Sequence, residues 1–253
     1  MFPLGNHIKF KMRCTAMAGD SKEEFFMNTE TKRMSTKTMV LGAVLTAMVV
    51  LLQMLGSFIH LGPFSISLVL IPIVIGAGTC GVGVATWLGL MFGIVVLASG
   101  DAAAFLAVDV PGTVITVLAK GTLCGLLSGL AYKGVLYLLN KHSAKQIQRI
   151  KTTYGLCEAC ETGVLQFLAR NNQYAAVLVA AIVCPLVNTG VFLLGCLIFF
   201  MDTVIAWGQA AGFDNVGAYM ILVLVGGNFL FELLTNIVLS PVVVRLLNIR
   251  RKA

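Results

Sequence analysis

The sequence predicts an all-α polytopic membrane protein, a six-helix bundle with both termini cytoplasmic. Three observations carry that expectation. Apolar runs of about 20 residues recur, each long enough to cross a hydrocarbon core of roughly 30 Å. Only 11% of the 253 residues are charged, against about 25% in a soluble domain. The basic residues also cluster in alternate segments between the apolar runs, which puts them on one side of a membrane. The short alternating strands of an outer-membrane barrel are absent from the pattern.

Residues 1–37 form a polar tail with Lys9, Lys11, Arg13, Lys22, Lys32, Arg33 and Lys37. MFPLGNHIKFKMRC lacks the continuous apolar core of a secretory signal. The segment reads either as a cytoplasmic tail or as sequence preceding a later start, at Met27 or Met34. The membrane domain is expected over 38–247, with spans at about 38–59, 64–77, 80–98, 113–139, 175–200 and 217–245. The second span is short. It carries Pro72 and ends at the glycine-rich GAGTCGVG, 76–83, so a kinked crossing packed among protein neighbours is expected. Residues 140–174 read as a solvated inner loop with one amphipathic helix, and 248–253 as a basic cytoplasmic tail.

Six spans with the N-terminus inside leave outer loops near 60–63, 99–112 and 201–216. These hold Asp101, Asp109, Asp202 and Asp214 and no Lys or Arg. Of the 18 basic residues, all but Lys120 then lie on the inner side, as the positive-inside rule requires. The net charge of +7 is thereby explained by topology, and no nucleic-acid partner is expected.

Within the spans, Ala43 and Ala47 in LGAVLTAMVV share one helical face. Small residues there permit close approach of another helix, either inside the bundle or from the inner side. Gly121, Gly125 and Gly129 in KGTLCGLLSG read as a close contact inside the bundle. Lys120 sits about seven residues, roughly 10 Å, below the outer end of its span. Glu232 falls near the middle of the last span, in GGNFLFELLTN, with Asn228 and Asn236 four residues to either side. Asn188 and Thr189 follow Pro185 in CPLVNTG. Charges at such depth face a bundle interior or a wet cavity, so Lys120 is read as a cation for an anionic group or as the ion-pair partner of Glu232. Polar groups from three spans suggest a lined solute pocket. Phe58, Phe64, Phe105, Phe199, Phe200 and Trp207 gather near the outer side, to stack on a planar ligand or to form an interfacial belt.

Of seven cysteines, four lie in apolar runs and act as small apolar residues. Cys157-x-x-Cys160 lacks a second ligand pair, which makes it a weak metal signal. No Gly-x-x-x-x-Gly-Lys-Ser/Thr loop is present, so the chain is not expected to hydrolyse ATP. HExxH and Gly-x-Ser-x-Gly are also missing, leaving an enzyme little to stand on. No cofactor or metal is expected.

The ordered combination of an AxxxA first span and a Pro-flanked short second span resembles the substrate-binding S components of energy-coupling factor (ECF) vitamin transporters. GPFSISLVLIPIVIGAGTCGVGVATWLGLMFGIVVL, 62–97, looks like the family's second and third spans, and VPGTVITVLAKGTLCGLLSGLAYKGV, 110–135, like its fourth. The likeness covers about 38–247. It implies a plasma-membrane protein that binds a vitamin or related micronutrient from outside. It further implies docking on a transmembrane T subunit bound to two cytoplasmic ATPases, whose ATP hydrolysis topples the S component in the bilayer. It makes Ala43 and Ala47 the docking face. It places a pocket among Lys120, Asn188 and Asn228, with Asp101 and Asp109 above and Glu232 deeper. An anionic solute of riboflavin, pantothenate or folate type is then expected. On the residues alone two other readings stay open: a self-sufficient secondary transporter or channel, and a scaffold protein without solute.

Overall fold

The computed structural model describes residues 36–57, 60–61, 64–65, 68–154 and 158–252. The tail through residue 35, Phe58 and Cys157 lie outside the described residues. The first helix, α1 (Thr36–Gly56), has no charge beyond its first turn. It buries Gly42, Leu45, Val49, Gln53 and Gly56, and leaves Val40, Ala43, Val44, Ala47 and Met48 exposed. A two-residue antiparallel hairpin follows, β1 (His60–Leu61) on β2 (Phe64–Ser65), with His60 opposite Ser65.

The expected span at 64–77 differs from the helix that forms there. The hairpin takes its first residues, and only α2 (Leu70–Thr79) is helical, with ten residues. At 1.5 Å per residue this is about 15 Å, half a hydrocarbon core. Burial explains how so short a helix persists in lipid. Leu70 and Pro72 through Ala77 are all buried, so protein rather than lipid surrounds its ends. Its C-terminal end lies beside the start of α1, with Cys80 Sγ 4.0 Å from the Thr38 carbonyl. It also lies beside the end of the chain, where Gly78 faces Leu247.

After Gly81, held at φ 91°, α3 (Val82–Ser99) runs back. A short α4 (Ala103–Leu106) crosses the far end. The long helices α5 (Val110–Tyr154) and α6 (Glu158–Phe199) have 45 and 42 residues. They pair antiparallel. Cys124 and Cys184 place their sulfurs 3.0 Å apart in the core, and Asn172 donates to Asn140 and Ser143 at 3.0 Å much farther along. Where a loop with one amphipathic helix was expected, residues 140–154 extend α5 and residues 158–174 belong to α6.

α3 and α5 touch backbone to backbone. A Cβ on Gly89 would strike the Gly121 carbonyl, and one on Gly125 the Ala85 carbonyl. This is the contact expected from the KGTLCGLLSG run. α7 (Met201–Ala210) and α8 (Val216–Tyr219) lead into a π-helical stretch, Met220–Gly226, and then α9 (Gly227–Lys252). Among the described residues five helices are long and apolar enough to cross a membrane: Thr36–Gly56, Val82–Ser99, Val110–Arg149, Phe167–Phe199 and Val216–Arg245.

Candidate functional site

Near the end of the bundle that carries α4, a cavity of about 70 Å³ opens among α1, α3, α4, α5, α6 and α9. Each helix supplies a side chain for a local reason. Gln53 is the one amide on the buried stripe of α1. On α5, Thr113, Thr116, Val117 and Lys120 recur at helical spacing and line one wall. Gly195 lets α6 close on Thr116, since a Cβ there would overlap the threonine methyl. On the last span the π-helical turn precedes Asn228. Its wider winding sets the phase at which Asn228 and Glu232 both face inward.

Glu232 is 1% exposed and its carboxylate accepts two amides. Asn188 Nδ2 donates to Oε2 at 3.4 Å and Asn228 Nδ2 to Oε1 at 3.2 Å. At the other side of the cavity, Gln53 Nε2 donates to Asp101 Oδ2. The Lys120 ammonium lies 5.8 Å from the centre of the Phe92 ring and 5.5 Å from that of Phe192, within cation–π range. Phe105 forms the hub of an edge-to-face cluster with Phe192, Phe200 and Trp207, at 5.6, 5.1 and 5.4 Å. A second space of about 60 Å³, bounded by Thr189 and the π-helical stretch, shares Lys120, Asn188, Phe192 and Asn228 with the first.

Four buried side-chain atoms have no hydrogen-bond partner among the described residues: Gln53 Oε1, Thr116 Oγ1, Asn188 Oδ1 and Asn228 Oδ1. All four residues line this cavity. An unpartnered buried polar atom costs about 1–3 kcal/mol. Four residues that carry such an atom thus stand around one cavity.

Of the residues singled out in the sequence, Lys120, Asn188, Asn228, Glu232 and Asp101 line this one cavity. Asp109 does not join them. Its carboxylate accepts from Gly112 N at 3.1 Å and its carbonyl from Thr113 Oγ1 at 2.6 Å, so it caps the start of α5. Asn236 donates within its own helix, to the Glu232 carbonyl at 2.9 Å. Of the aromatic residues singled out, Phe105 and Phe200 line the cavity, whereas Phe199 is exposed. Sequence reasoning missed Gln53, Thr116, Phe92 and Phe192. Gln53 left a signal, as a lone amide inside an apolar span. The two phenylalanines left none, since an apolar residue in an apolar run is silent.

The fold is that of a helical membrane protein, a bundle with membrane-length helices and a cavity lined by polar and aromatic side chains near one end. Residues 37–247 match the family model described as ECF transporter, substrate-specific component. The chain belongs to this family: it is a multi-pass, non-catalytic transport subunit that works with a substrate and an ECF module. Neither the comparison with curated proteins nor that with solved structures gives a match.

Proposed function

We propose that this chain captures a vitamin or related micronutrient from outside the cell in the Lys120–Glu232 cavity. Delivery inward then follows docking on a transmembrane T subunit carrying two cytoplasmic ATPases. The observation that carries the reading is that four residues with an unpartnered buried polar atom line one aromatic-walled space. Lys120, Asn188, Asn228, Glu232 and Asp101 are its solute-binding residues.

The exposed setting of Ala43 and Ala47 supports their role as the docking face. The buried stripe of α1 is Gly42, Leu45, Val49 and Gln53, so the alanine pair is not spent on packing within the bundle. The cytoplasmic placement of both termini rests on the basic residues. It also requires an even number of crossings, which α2 supplies. Its end lies beside Thr38 and Leu247, so the chain returns to that side between α1 and α3. A cavity of about 70 Å³ is small against the roughly 300–1,000 Å³ of sites for drug-sized ligands.

The test is to purify the chain alone in mild detergent, denature it, and identify released small molecules by mass spectrometry. A vitamin-sized molecule near one-to-one stoichiometry is expected. An empty protein that also fails to co-purify with a T subunit and ATPases would overturn the reading.

A further inference from the structure

We infer that the solute is a donor-rich planar heteroaromatic molecule, bearing amino or amide N–H groups and no net negative charge. This rests on the cavity being the solute site.

The two carboxylates set the polarity of the cavity. A carboxylate only accepts hydrogen bonds, whereas a side-chain amide has one accepting end and one donating end. Any amide that touches a carboxylate must turn its NH₂ toward it. Gln53 does so to Asp101, and Asn188 and Asn228 do so to Glu232. The carbonyl oxygens of all three are thereby directed away from the carboxylates. These are the oxygens that lack partners. Thr116 Oγ1 is the fourth orphan, and its hydroxyl can accept as well as donate. An anion would answer none of the three carbonyls. N–H groups answer all of them.

The charges point the same way. One lysine stands against two carboxylates on the cavity wall. An added anion would gain Lys120 but face Asp101 and Glu232 in surroundings where charge is weakly screened. The anionic solute that Lys120 alone suggested is therefore disfavoured. Lys120 has three donors and no acceptor, which suits a ring nitrogen or carbonyl on an otherwise donating molecule. Phe92, Phe105, Phe192 and Phe200 supply faces and edges for a planar ring.

Matched probe pairs test this on the full chain in detergent: benzamidine against benzoate, and nicotinamide against nicotinate, titrated by ligand-observed NMR. Benzamidine and nicotinamide are expected to bind at least tenfold tighter than the corresponding acids. In Asn228→Ala, which removes one orphan carbonyl at the half-buried edge of the site, the preference should shrink at least threefold. Equal or tighter binding of benzoate and nicotinate overturns the donor-rich class while leaving the solute site standing. So does a released endogenous molecule that is a carboxylic acid or phosphate without N–H donors. If no probe binds and no endogenous molecule is released, the site itself is refuted, and the inference with it.

Discussion

Gly125→Ala is a single methyl added where two helices of the bundle meet backbone to backbone. Its Cβ would lie well under 3.0 Å from the Ala85 carbonyl oxygen, where ordinary contact begins at 3.4 Å. Both partners are backbone, so no side chain can swing aside, and α3 and α5 must separate by roughly 1 Å. Overpacking of this kind costs about 1–3 kcal/mol, and an unyielding partner puts it near 3. Replacing a mid-helix glycine returns about 0.5–1 kcal/mol of backbone entropy, leaving a net loss of about 2 kcal/mol. For a chain of this size that lowers Tm by about 4–8 °C. Gly134→Ala is the control. It lies on the same helix, and a Cβ there meets nothing within 4 Å, so Tm should hold or rise by about 2 °C. The assay is thermal unfolding in detergent at one scan rate, read from Trp87 and Trp207 fluorescence. Lys120 and Phe92 sit on the two helices being separated, so ligand affinity should fall in Gly125→Ala and not in Gly134→Ala. Equal Tm values for the two variants would refute the backbone contact and the account of how Lys120 is positioned.

Three further outcomes are expected. Replacing Ala43 and Ala47 together by Leu should abolish uptake in cells carrying the T subunit and ATPases, while ligand affinity and Tm of the isolated chain stay within error, because both positions are exposed; unchanged uptake would remove them from the docking face. Lys120→Met should weaken binding of the released ligand about tenfold or more, the loss of one charged hydrogen bond worth about 1.5–3 kcal/mol; a variant that loses Tm and keeps affinity would make Lys120 a structural partner of the carboxylates. Asp109→Ala should cost about 1 kcal/mol of stability as a lost helix cap without changing affinity; an affinity loss in calorimetry would place Asp109 in the site after all.

The sequence by itself determined the membrane character and most of the architecture. Transfer of apolar residues into lipid is additive over a local window, so five long spans could be read directly. The contact between Gly121, Gly125 and α3 was legible for a similar reason, since close approach demands small residues at helical spacing whatever the partner. Spacing also showed that Ala43 and Ala47 share a face. Only the tertiary structure decided that this face points out of the bundle, because the phase of α1 is set by what Leu45, Val49 and Gln53 meet across it.

The same limit applied to α2 and to residues 140–174. Whether ten apolar residues cross in lipid or shelter within protein depends on neighbours, and whether a polar segment is loop or helix depends on the partner it lies against. For the site, Lys120 and Glu232 announced themselves because a buried charge is costly anywhere in a membrane. The roles of Gln53, Phe92, Phe192 and Asp109 did not. A cavity is the place where six elements fail to fill space, and the direction of an amide within it is fixed by a carboxylate distant in the chain. Neither quantity exists until the helices have packed.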